Sequence, residues 1–86
     1  MAEHISVIII DPDQSSRRLA KELFKKIPNA KITAEAIDLG RGYELVTKHE
    51  PTIVILDLFP SLENALKLSE ELTRNFPDTT VVVTSS

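Results

Sequence analysis

Two apolar runs in this chain each end in an aspartate. Ile53-Val54-Ile55-Leu56 runs into Asp57, and Val7-Ile8-Ile9-Ile10 runs into Asp11, with Asp13 close behind. A carboxylate at the mouth of a buried strand is costly unless something pairs with it or binds it. Carboxylates gathered round one crevice cannot all stay ionised without a counter-charge. A hard divalent cation is the usual remedy, and Mg²⁺ takes one or two carboxylates, keeps waters and bridges to phosphate oxygens. A carboxylate in the position of Asp57 can also attack a phosphoryl group and form an acyl phosphate. Thr84 ends the last apolar run and is placed to bind the new phosphate oxygens. Taken singly, each acid has a plainer role, since Asp favours turns and caps helices. Taken together with Thr84, they favour one acidic site.

The elements that must position these residues alternate in type. Ile5–Ile10 is a nearly continuous β-branched run stopped by Asp11-Pro12-Asp13. From Gln14 to Ile27, Leu19, Leu23, Phe24 and Ile27 recur at helical spacing, with Asp13, Ser15 and Ser16 as candidate N-caps. Lys31–Ile37 reads as a more polar strand. Gly40-Arg41-Gly42 opens a helix through His49, which Pro51 stops. Thr52–Leu56 is a buried strand, Leu62–Phe76 an amphipathic helix, and Val81–Val83 a last strand.

This alternation predicts an α/β fold with a parallel sheet and right-handed crossovers. The apolar strands at Val7, Ile53 and Val81 are expected at the centre and the polar strand at Ile32 at an edge. The predicted order is 2-1-3-4, as in a flavodoxin-like sheet with helices on both faces. Its switch point lies between the first and third strands, where ligands bind at the carboxyl ends. Asp11 and Asp57 fall at that crevice.

Composition bounds the alternatives. The chain has 86 residues, enough for one domain spanning 1–86, with 42% hydrophobic and 27% charged residues. A net charge of -3 gives no basic footprint for direct nucleic-acid binding. With no cysteine there is neither a disulfide framework nor a thiolate metal site. No apolar stretch reaches membrane-spanning length, so no membrane insertion is expected, and the first residues lack a secretory pattern.

These segments resemble a response-regulator receiver (CheY-like) domain over nearly the whole chain. Val7-Ile8-Ile9-Ile10-Asp11-Pro12-Asp13, followed by Ser16-Arg17-Arg18-Leu19, resembles the first strand and acidic loop of that family. Leu39-Gly40-Arg41-Gly42-Tyr43-Glu44-Leu45 is similar to the start of its second helix. Pro51-Thr52-Ile53-Val54-Ile55-Leu56-Asp57-Leu58 looks like the phosphoacceptor strand, and Phe76 to Ser85 like the approach to the fourth strand and its switch hydroxyl.

The resemblance implies a two-component phosphorelay receiver in a bacterial-type cytoplasm. Asp57 would be the phosphoacceptor and Thr84 the switch residue. Asp11, Asp57, the backbone carbonyl of Phe59 and, less directly, Asp13 would hold Mg²⁺. A histidine kinase or phosphotransfer protein would supply the phosphoryl group, and homodimerisation stays open. The chain would not be an enzyme beyond self-phosphorylation and dephosphorylation.

The sequence departs from that pattern in three places. Pro12 takes the second acidic slot, so Asp13 comes one residue late and is either a ligand or only a cap. Pro60 comes one residue early, and Asn64 stands where a glycine belongs, as a residue tolerant of left-handed backbone. The family's fifth strand, its lysine and its last two helices have no counterpart in these residues, so one sheet face is covered by the Gln14–Ile27 helix alone and the Val81 strand is an uncovered apolar edge. A second expectation follows: a phosphorylation-independent pseudo-receiver, serving as an interaction or dimerisation module of a larger protein such as a pilus-assembly or localisation ATPase.

Other features carry less. Gly40-Arg41-Gly42 lacks a third glycine and does not follow the first strand, so it reads as a helix start rather than a nucleotide loop. His4 and His49 lie on different elements. Arg17-Arg18 and Lys25-Lys26 read as solvated charges.

Overall fold

The structure is a computed structural model and describes residues 4–85. Its elements follow one another as β1 (Ile5–Ile10), α1 (Gln14–Phe24), β2 (Ala30–Ala36), α2 (Leu39–His49), β3 (Ile53–Asp57), α3 (Leu62–Asn75) and β4 (Thr80–Thr84). The strands form one parallel sheet in the order β2-β1-β3-β4, as the alternation predicts.

Side-chain alternation along the strands gives the sheet two unequal faces. Ile8, Ile10, Val54 and Leu56 point to one face and join Leu45 and Val46 of α2 and Ala65, Leu68 and Leu72 of α3 in the main core. Here α2 lies over β2 and β1, and α3 over β3 and β4. Gly42 permits this close approach: a Cβ there would meet Ile10 Cδ1 at 2.5 Å.

Val7, Ile9 and Ile55 point to the other face, where α1 is the single covering helix among the described residues. Arg17, Ala20, Lys21 and Phe24 of α1 turn inward, while Leu19, Leu23 and the following Ile27 are exposed. The helix ends at Phe24 rather than Ile27, with Lys25 as its C-cap and turn bonds from Lys26 and Ile27.

Two expectations are corrected. Of the two places expected of the Val81 strand, the edge and not the centre is observed among the described residues: β4 pairs with β3 alone there, and Val82 and Val83 are exposed. An apolar strand sequence marks potential for burial, but pairing decides position. Asn64 is not in left-handed backbone; it lies within α3, whose N-cap Ser61 accepts a hydrogen bond from the Asn64 amide at 3.2 Å. The capped helix takes over the place where the family's pattern would bend the chain.

Candidate functional site

β1 and β3 are neighbours, with Ile10 registered against Leu56, so Asp11 and Asp57 emerge side by side at the carboxyl edge. Asp57 is registered in turn against Thr84 on β4. Three residues far apart in sequence therefore form one row at the topological switch point. Both acids are buried, Asp57 at 4% exposure and Asp11 at 8%.

Among the described residues no basic side chain lies within ion-pair distance of either carboxylate. Asp11 Oδ1 accepts from the Asp13 amide at 2.8 Å, and Asp57 Oδ1 from the Phe59 amide at 3.3 Å. Burial pushes the Asp11 carboxyl above its ordinary range; the Asp13 amide works against this, and the adjacent Asp57 charge adds to it.

Asp13 belongs to a different structure. It is the N-cap of α1, and its Oδ2 accepts from the Ser16 amide at 2.9 Å and the Ser16 hydroxyl at 2.7 Å. These bonds hold its carboxyl below the ordinary range. The site is thus a pair of carboxylates with Asp13 beside it as a cap. Among the described residues no group of three or more His, Cys, Asp or Glu side chains is gathered to hold a metal ion, and His4 and His49 take no part. A pair of hard oxygen donors still fits Mg²⁺, which accepts one or two carboxylates and keeps its waters.

Two cavities meet at Asp57. One, of about 220 Å³, lies on the α1 face between Asp11, Ser16, Leu19, Ile55 and Thr84. The other, of about 410 Å³, lies between Pro12, Ile37, Leu39, Phe59 and Pro60. Asp57 is therefore reachable from two sides despite its burial.

Arg17 was not singled out by its place in the sequence, and the expectation that it is a solvated charge is corrected. Its Nη1 donates to the Asp11 carbonyl at 2.7 Å and its Nε to Glu35 Oε1 at 2.9 Å, while Lys21 Nζ donates to Glu35 Oε2 at 2.8 Å. This pins the backbone of the acidic loop to β2. The i, i+4 spacing of Arg17 and Lys21 puts both on one helix face, which is the signal that was available.

No family model matches the chain. Among solved structures, the response regulator domain of Thermotoga maritima CheB superposes with a TM-score of 0.84 at 22% identity, covering 98% of this chain and 62% of that one. Its fold is that of a response-regulator receiver domain. The isolated REC domain of RcsB from Salmonella enterica serovar Typhimurium, solved with phosphomimetic BeF3-, superposes with a TM-score of 0.85 at 19% identity, over 96% of this chain and 62% of that one. Among curated proteins, the transcriptional regulatory protein DegU of Brevibacillus brevis is 28% identical over 81 residues, 94% of this chain and 34% of DegU. A protein-glutamate methylesterase/protein-glutamine glutaminase of Nitratidesulfovibrio vulgaris is 25% identical, over 94% of this chain and 22% of that protein. The receiver-fold chain thus spans about a third or less of these relatives. No helix among its described residues is long and apolar enough to cross a membrane.

Proposed function

We propose that this chain is a phosphorelay receiver that accepts a phosphoryl group on Asp57. The observation that carries the reading is the row Asp11, Asp57 and Thr84, with two buried carboxylates facing accessible cavities and no internal cation beside them among the described residues.

An Asp57 carboxylate oxygen attacks phosphorus in line. The new O–P bond forms as the P–N bond of a partner's phosphohistidine breaks, and the imidazole leaves with the bonding electron pair. Asp11, Asp57 and the Phe59 carbonyl would hold Mg²⁺, which supplies offsetting charge to the phosphoryl oxygens. The Thr84 hydroxyl, one strand over, is the donor for a phosphoryl oxygen, and its reorientation changes the β4 surface. The natural phosphodonor is a histidine kinase or phosphotransfer protein.

A second reading has its own support. Asp13 caps α1, and Pro12 occupies the loop between the two acids. A pseudo-receiver that works as an interaction module without phosphorylation would tolerate both.

Beryllofluoride with Mg²⁺ separates the two readings. The receiver reading expects amide shifts at Asp57, Leu58 and Thr84 that Asp57→Asn abolishes. Unchanged spectra at millimolar Mg²⁺ would leave the pseudo-receiver.

A further inference from the structure

Asp11 is held at three points. Its amide donates to the Ala36 carbonyl at 3.0 Å, its carbonyl accepts from Arg17 Nη1 at 2.7 Å, and its Oδ1 accepts from the Asp13 amide at 2.8 Å. The first two points both lead to the end of β2. Ala36 is the last residue of that strand, and Glu35, the residue before it, accepts from Arg17 Nε at 2.9 Å. One guanidinium therefore spans the loop that carries Asp11 and the strand beside it.

The helix puts Arg17 where it can do this. Side chains of an α-helix tilt toward its N-terminus, and Arg17 follows the Asp13 cap by one turn, its amide donating to the Asp13 carbonyl at 3.1 Å. Its side chain runs back toward the loop it came from. The placement is not the one that favours the helix by itself. A cation near the N-terminal end opposes the helix dipole, and the first turn of α1 has no acid of its own. The side chain is also largely withdrawn from water, at 13% exposure, where a charge needs partners. Lys21, one turn further on, shares Glu35 through Nζ at 2.8 Å and is 41% exposed. Both cations hold the same carboxylate, but only Arg17 goes on to bond the loop. The planar guanidinium has separate donors for both acceptors, whereas a lysine is a single point charge.

Pro12 makes this bridge matter more. It has no amide to offer the loop, and it restricts Asp11 before it to extended backbone. With Asp13 committed to the cap, Asp11 is the one loop carboxylate set beside Asp57. Mg²⁺ demands near-ideal octahedral geometry, so the direction of that carboxylate matters. We propose that Arg17 is a positioning residue for the metal site: the Glu35–Arg17 bridge fixes the Asp11 peptide and, through it, the carboxylate that faces Asp57. The proposal rests on the reading of Asp11 and Asp57 as the Mg²⁺ pair.

The test is a Mg²⁺ titration of the 86-residue chain, followed through the Asp57 and Leu58 amides. Arg17→Met keeps the apolar stem and removes both bonds, and should weaken Mg²⁺ binding about tenfold, as loss of an orienting partner behind a ligand does. Arg17→Lys should weaken it too, with a smaller fall in the urea midpoint, so the outcome does not hang on how well Arg17→Met folds. Lys21→Met, which takes a cation from Glu35 without touching the Asp11 carbonyl, should lower the urea midpoint and leave Mg²⁺ affinity unchanged. Without metal, the Asp13 amide, which reports its bond to Asp11 Oδ1, should shift and lose exchange protection in both Arg17 variants and not in Lys21→Met. Parent affinity in the Arg17 variants would overturn the positioning role alone. Equal losses in Arg17→Met and Lys21→Met would do the same, by showing that the bridge serves stability. A parent chain that takes no Mg²⁺ at millimolar concentration would overturn the metal reading and this proposal with it.

Discussion

Asp11 and Asp13 stand two residues apart and do different work. Asp11 continues the line of β1, so its carboxylate is carried down beside Asp57, whereas Asp13 has turned out of the sheet to begin α1. Local donors keep the two carboxylates apart in function. The Asp13 amide binds Asp11, and the Ser16 amide and hydroxyl bind Asp13. Asp13→Ala should therefore lower the urea midpoint, and Asp13→Asn, which keeps the acceptor, should not. Neither change should move the Mg²⁺ affinity read by titration, whereas Asp11→Asn should weaken it. A loss of Mg²⁺ binding in Asp13→Asn would place that residue in the metal site after all. Asp11 and Asp57 were legible as candidates because each interrupts an apolar run, while the division of labour depended on backbone direction at Pro12.

At the scale of elements, the two glycines of α2 illustrate opposite demands. A side chain at Gly42 would run into Ile10, at 2.5–3.0 Å from its Cδ1, Cγ1 and Cγ2, while one at Gly40 would meet nothing closer than Asp38 Oδ1 at 3.6 Å. Gly40→Ala should stabilise by about 0.5–1 kcal/mol through helix propensity. Gly42→Ala should cost about 1–3 kcal/mol through overpacking, less the same propensity gain. Denaturant melts of the two variants should move in opposite directions. The contact between α1 and β2 rests on Glu35, whose carboxyl is held below its ordinary range by Lys21 and Arg17 against the pull of burial. A depressed carboxylate contributes stability above the unfolded pKa, and that contribution is lost as pH falls through the folded value. Glu35→Gln should thus cost at most about 1 kcal/mol at neutral pH after solvent screening, and the difference from the parent should vanish in acid. A constant difference from about pH 7 down to about pH 2 would show that the loss is packing rather than charge.

At the scale of the molecule, the main core cluster among the described residues lies on the α2 and α3 face of the sheet. Leu72, with no exposed surface, lies on the inner side of α3 in the main cluster, while Leu19 on α1 is 61% exposed. Leu72→Ala should cost about 2–5 kcal/mol. Leu19→Lys should stay within about 0.5 kcal/mol and reduce binding of a hydrophobic dye, because the α1 face holds open apolar surface. The two leucines have the same helical periodicity in sequence, so nothing local distinguishes them. What separates them is that α3 is packed beside α2, and α1 stands alone on its face among the described residues.

The order of the sheet, the alternation of elements and the pairing of Asp11 with Asp57 followed from the sequence. Apolar runs fix which segments are strands, and right-handed crossovers leave few ways to stack them. The capping role of Asp13, the helical state of Asn64 and the anchoring by Arg17 were decided by tertiary structure. Each depends on which groups become neighbours in space: an amide within reach of a carboxylate, a serine that caps a helix, a glutamate on an adjacent strand. Pattern along the chain records how much a residue gains by burial or bonding, and only the packed fold determines which partner provides it.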